Sequence, residues 1–74
     1  MSSADFETWL LSSGFHVVQD LPGYRVYQRG SATVAKLSDL QGNVLYYTLQ
    51  VGKLTLATTN PQDIVWLLAR LGLA

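Results

Sequence analysis

The 74-residue chain has no cysteine and one histidine, His16. Without thiols there is no disulfide framework and no thiolate metal site, and a lone imidazole needs carboxylate neighbours that the sequence does not identify. A reducing compartment fits this usage. Charge is also scarce. Only 14% of residues are charged, five acids balance five bases, and the net charge is zero. A neutral chain has no overall pull toward nucleic acid or anionic lipid. Long apolar runs are missing, since nothing approaches the roughly eighteen residues of a membrane span. The start, Met-Ser-Ser-Ala-Asp, has neither the basic region nor the apolar run of a signal peptide. The expectation is a soluble, cytoplasmic protein. The glycines fall one per chain break, so they are turn residues and make no phosphate loop. There is no internal repeat, low-complexity tract or linker.

What is present is hydrophobicity. At 49% hydrophobic residues, the chain is set apart from disordered sequences and reads as one packed domain, residues 1–74. A domain this short buries a core of marginal size. Self-association, for example as a homodimer, would extend that core.

The chain reads as helix, five strands, helix. Ser3 is the expected N-cap of a helix over residues 4–13, with Asp5 and Glu7 suited to the positive end of its dipole. Its Phe6, Trp9 and Leu10 form one stripe, and Gly14 ends it. Residues 15–19 form a first strand with Phe15 and Val17 on one face and His16 and Val18 on the other. Pro22-Gly23 supplies a type II turn. Residues 24–29 alternate, with Tyr24, Val26 and Gln28 pointing one way and Arg25, Tyr27 and Arg29 the other.

A two-residue loop at Gly30-Ser31 pairs Val26 with Ala35 and Tyr24 with Leu37 on one face, and Tyr27 with Val34 and Arg25 with Lys36 on the other. The second face then sets like charges opposite each other, which is normally unfavourable. A five-residue reversal at residues 39–43 sets Leu37 against Leu45 and Ala35 against Tyr47, keeping one apolar face continuous. A hairpin turning at Gly52-Lys53 pairs Val51 with Leu54, Leu49 with Leu56 and Tyr47 with Thr58, leaving Gln50/Thr55 and Thr48/Ala57 on the polar side. Asn60 as N-cap, Pro61 at the first helical position and Asp63 at the third form the strongest helix start in the chain. Ile64, Leu67, Leu68 and Leu71 make the buried stripe of this last helix.

These registers predict an α+β fold of two layers, a five-stranded antiparallel meander with an N-terminal and a C-terminal helix packed on one face. The open face would carry His16, Val18, Arg25, Tyr27, Arg29, Val34, Lys36, Tyr46, Thr48, Gln50, Thr55 and Ala57. Tyrosines among bases are the anchors of protein interfaces. They are equally the parts of a single-stranded nucleic-acid platform, with cation on phosphate and ring on base. In architecture alone the arrangement resembles Whirly-type single-strand binders, with no motif residue carrying the likeness.

The sequence therefore predicts a small non-enzymatic interaction or regulatory protein, of a size that suits a compact bacterial or phage regulator. It would bind a protein partner, or itself, through Arg25, Tyr27, Arg29, Lys36 and Tyr46. The alternative is single-stranded nucleic acid on the same face. On this reading, replacing Tyr27 by Ala together with Tyr46 by Ser weakens association and leaves the fold intact. No catalytic residue, metal, cofactor or small-molecule substrate is implied. His16 near Asp20 lacks the nucleophile and pocket that an acid–base role requires. Trp66 reads as core, and would become a partner-binding candidate if it were exposed.

Overall fold

The computed structural model describes residues 1–73. Helix α1 (Ser3–Ser12) is followed by strands β1 (His16–Leu21), β2 (Tyr24–Arg29), β3 (Ala32–Ser38), β4 (Val44–Val51) and β5 (Leu54–Thr58), then helix α2 (Pro61–Arg70). The strands form one antiparallel sheet in sequence order, so every connection is a hairpin. This is the expected α+β meander. No helix among the described residues is long and apolar enough to cross a membrane.

Local chemistry explains the boundaries. Helix α1 is capped by Ser2, one residue before the expected Ser3, because the Ser2 hydroxyl accepts the Asp5 amide at 3.1 Å. In α2 the Asn60 side chain accepts the Gln62 amide at 3.1 Å and Pro61 opens the first turn, as its fixed φ allows. The β1–β2 turn depends on Gly23, whose φ of +79° suits glycine and whose absent Cβ would lie 3.0 Å from the Ser38 carbonyl oxygen. The Gly23 carbonyl in turn accepts the Ser38 amide at 3.0 Å, tying that turn to the end of β3. Asp39 orders the β3–β4 loop by accepting the amides of Gln41 and Asn43, each at 2.9 Å.

Phe6 and Leu10 of α1 and Ile64 and Leu68 of α2 share one buried cluster with Tyr27, Val34, Tyr47 and Leu49 of the sheet. Both helices therefore lie on the same face. Full burial of such a side chain is worth roughly 1.5–3 kcal/mol. The rings of Phe6 and Tyr47 meet edge to face at 4.9 Å, fixing α1 over β4.

The β2–β3 and β4–β5 registers are as expected from the turns. The face of β2 and β3 that the helices cover is the opposite of the one expected. Residues 39–43 do form the five-residue reversal, with Ser38 opposite Val44. The next pair, however, is Leu37 with Tyr46, and Leu45 is an extra residue in a β-bulge. One inserted residue changes which side every later residue faces. Lys36 thus stands opposite Tyr47 and Val34 opposite Leu49, where Ala35 was expected opposite Tyr47. A second irregularity at Val18 turns the end of β1, so that Gln19 pairs with Val26 and Asp20 with Arg25.

Candidate interaction surface

The covered side contains all the charge on the strands. In register across it run Asp20, Arg25, Lys36, Tyr47 and Thr58, then Val17, Tyr27, Val34, Leu49 and Leu56. Four of the five expected partner-binding residues are here. Tyr27 is 1% exposed and lies in the core. Arg25 and Lys36 lie beneath α1, bound to Glu7 at 3.2 and 3.0 Å. Arg29 donates to the Leu73 carbonyl. Val34, also expected outside, is fully buried. Of the five, only Tyr46 occupies the open face as expected, together with His16, Thr48, Gln50, Thr55 and Ala57 of the wider set. The physical reason is the Leu45 bulge, which leaves β4 and β5 as anticipated and reverses β2 and β3.

The like-charged pair Arg25–Lys36 is reconciled by Glu7. Its Oε1 accepts from Arg25, Lys36 and the Tyr27 hydroxyl, and Asp20 takes the other side of Arg25 at 2.9 Å. Burial pushes the Glu7 carboxyl up, but the Tyr27 and Lys36 hydrogen bonds, the Lys36 charge and the Arg25 bond outweigh it, and its pKa falls below the ordinary glutamate value. The Tyr27 phenol goes the other way, pushed to about 12 by burial and by its bond to the Glu7 carboxylate.

A cleft of about 350 Å³ between the β1–β2 turn and the β3–β4 loop runs over Arg25 and Lys36. Because both cations are held by carboxylates within 3.2 Å, they are poorly placed to receive a phosphate or another anion. Among the described residues no group of three His, Cys, Asp or Glu side chains could hold a metal ion.

The other face of the sheet is open, and it is built from three cross-strand rows. Nearest the β3–β4 loop stand Leu21, Tyr24, Leu37 and Tyr46. The middle row is Gln19, Val26, Ala35, Thr48 and Ala57, and the far row is His16, Gln28, Thr33, Gln50 and Thr55. None of these is Asp, Glu, Lys or Arg. The first row is apolar across four strands, with Leu21 52%, Tyr24 39% and Tyr46 38% exposed. Leu40, wholly exposed, and the bulged Leu45 stand at the same end of the sheet.

Leu21, Tyr24 and Leu37 are functional candidates that the sequence reasoning assigned to the core or to a turn. For Tyr24 and Leu37 the signal is their pairing in the β2–β3 hairpin, with only its side inverted, and Leu21 joins them as the β1 partner of Tyr24. Trp66 is 59% exposed, with the Arg70 guanidinium 5.1 Å from its ring centre, which meets the condition set for it as a partner-binding candidate. It is a single ring already covered on one side by a cation, whereas the sheet face is a continuous surface.

No family model matches the chain, and neither a curated protein nor a solved structure was found to be similar to it.

Proposed function

We propose that this chain is a small, non-enzymatic interaction module that docks another protein chain on the open face of its sheet. The observation that carries the reading is the contrast between an apolar row, with Leu21, Tyr24 and Tyr46 exposed and Leu37 half-buried among them, and the complete lack of Asp, Glu, Lys and Arg on the face that holds it. Exposed apolar area of this kind, bordered by threonine and glutamine, has the composition of an interface core with a polar rim. The docking residues on this reading are Leu21, Tyr24, Leu37 and Tyr46, so Tyr46 is kept from the sequence-based set. The four others act from the opposite side, Arg25, Tyr27 and Lys36 holding α1 through Glu7 and Arg29 bonding the Leu73 carbonyl beyond α2.

Nucleic acid on this face would find rings and no cations, and phosphate neutralisation supplies most of nonspecific affinity. The reading is tested by placing a photoreactive phenylalanine analogue at position 46, and for comparison at position 62 on the outer side of α2, in the full chain expressed in cells. Protein adducts from position 46 well above those from position 62 are expected. Equal yields from both positions would overturn it. So would binding of a single-stranded oligonucleotide that protects position 46 and weakens steeply between low and moderate salt.

A further inference from the structure

We infer that the occupant of the open face is a second copy of this chain, docked face to face about a two-fold axis running close to the direction of β3. The inference rests on the docking role proposed above and names its partner.

Charge is the first argument. An isologous interface sets each patch against its own image, so any net charge on the patch would meet the same charge. This face carries no Asp, Glu, Lys or Arg, its one imidazole, His16, lies in the far row at the edge strand, and self-apposition of the apolar row costs no like-charge repulsion. It equally offers a charged partner nothing to pair with.

Area is the second. Five strands at about 4.8 Å spacing and about six residues in length make a face of roughly 24 by 20 Å. The accessible surface of so corrugated a face exceeds its projection and approaches the ~800 Å² per partner of a standard interface. A single added strand or helix would leave much of it in water, whereas a second five-stranded sheet covers it entirely.

Pattern is the third argument, and it selects the axis. The rows run across the strands, apolar at the loop end and polar at the other. A two-fold axis lying in the interface along the strands returns each row to its own image, apolar on apolar. An axis across the strands would set the leucines and tyrosines of one copy on the threonines and glutamines of the other. Aligned sheets in a sandwich cross at about −30°, so the axis lies within about 15° of β3. β3 is the central strand, and it meets its own copy. Its small Ala35 allows close approach, and Leu37, one pair further along, faces its counterpart. Val26 and Ala35 are already only 6% exposed between their larger neighbours, which gives the mate a filled surface to rest on.

The chain's lack of cysteine makes the test direct. Sedimentation of the full chain between about 1 and 100 µM is expected to show the mass double, as for a standard interface of modest affinity. Under mild oxidation Leu37→Cys should give a disulfide-linked dimer in good yield, and Gln62→Cys, on the outer side of α2, should give little. Leu37→Lys sets two ammonium groups against each other across the axis. It should raise the dissociation constant at least ~100-fold while the circular dichroism stays that of a folded chain.

A wild-type chain that remains monomeric at 100 µM overturns the inference whatever the variants do, and so does equal cross-linking from positions 37 and 62. Photoadducts specific to position 46 with a different protein, from a monomeric chain, would remove the second copy and leave the docking role standing. A monomer with no such adducts would remove both.

Discussion

The two faces of one five-stranded sheet divide its chemistry almost completely. The covered face holds every strand charge, and the open face holds none. The usual expectation is the reverse, with charge toward water and hydrocarbon toward the helices. The difference shows what α1 is for. At one end of the covered face the helix brings no more hydrocarbon but a carboxylate, and Glu7 turns the unfavourable Arg25–Lys36 pair into a bridged cluster. The charges are partly shielded and partnered beneath the helix, and the opposite side is left free for apolar contact.

The largest effect expected from breaking this division separates two tyrosines that the sequence placed together. Tyr27→Ala removes a fully buried ring and should cost about 3–5 kcal/mol, close to the whole stability of a domain this small. Tyr46→Ala, on the open face, should change the unfolding free energy of the monomer by less than about 1 kcal/mol. Urea unfolding of both variants, at concentrations below any association, measures the contrast. Equal losses would mean that the faces are not distinct.

Removal of Glu7 comes next. Glu7→Ala leaves Arg25, Lys36 and the Tyr27 hydroxyl facing one another without their shared acceptor. The loss should be about 2 kcal/mol, below the value for a fully buried pair because the cluster retains some water. Adding Lys36→Met to Glu7→Ala should recover part of that loss, since it removes the repulsion between the remaining cations. A double variant no better than the single would show that the cations do not interact.

Acid and alkali should each reproduce a smaller share of the same loss. The Glu7 carboxyl has a folded-state pKa below its unfolded one, so its contribution is present above the unfolded value near 4.3 and is lost as pH falls through the folded pKa. The Tyr27 phenol has a raised folded-state pKa, so its contribution is present below about 10 and is lost as pH rises toward 12. Stability against pH should therefore fall at both ends. Glu7→Gln should flatten the acid limb only in part, because Asp20 and Asp39 also have lowered pKa values. Tyr27→Phe should remove the alkaline contribution of this residue. Identical acid limbs with and without Glu7 would exclude its part in the cluster.

The smallest effect is expected from deleting Leu45. The residue is exposed and is the extra one at the bulge, so its loss should let the β3–β4 ladder run regularly with the same faces inward, at a cost within about 1 kcal/mol. Deleting Tyr47, a core residue of the same strand, should unfold the chain.

The sequence made most of the fold legible because the breaks carry strong chemistry. Pro22-Gly23, Gly30-Ser31, the Asp39 loop, Gly52-Lys53 and Asn60-Pro61 each sit where the structure turns, and a two-residue hairpin loop fixes its register without long-range information. The side that faces out was legible on β4, β5 and the start of β1, where His16 is outward and Val17 inward, and was inverted on β2 and β3. Val44, Leu45, Tyr46 and Tyr47 are four consecutive apolar residues without glycine, and nothing local distinguishes a bulge among them. In the β2–β3 hairpin both sides carry an aromatic and an aliphatic pair, Tyr24–Leu37 on one and Tyr27–Val34 on the other. Hydrophobicity alone therefore leaves the side undecided. One signal did point the right way. Arg25 directly opposite Lys36 calls for an acid, and Glu7 stands on the neighbouring helix at a spacing that places it near Phe6 and Leu10, the residues that dock it.

The way α1 is fastened has a consequence for the protein as a whole. Residues 1–13 contain two of the five acids and none of the bases. Were that segment clipped or peeled away, the remainder would change from neutral to a net charge of +2, with Arg25 and Lys36 laid bare beside the tyrosines now beneath the helix. The same chain thus stores, under one short helix, a cationic aromatic surface of the opposite character to the one it shows to the solvent.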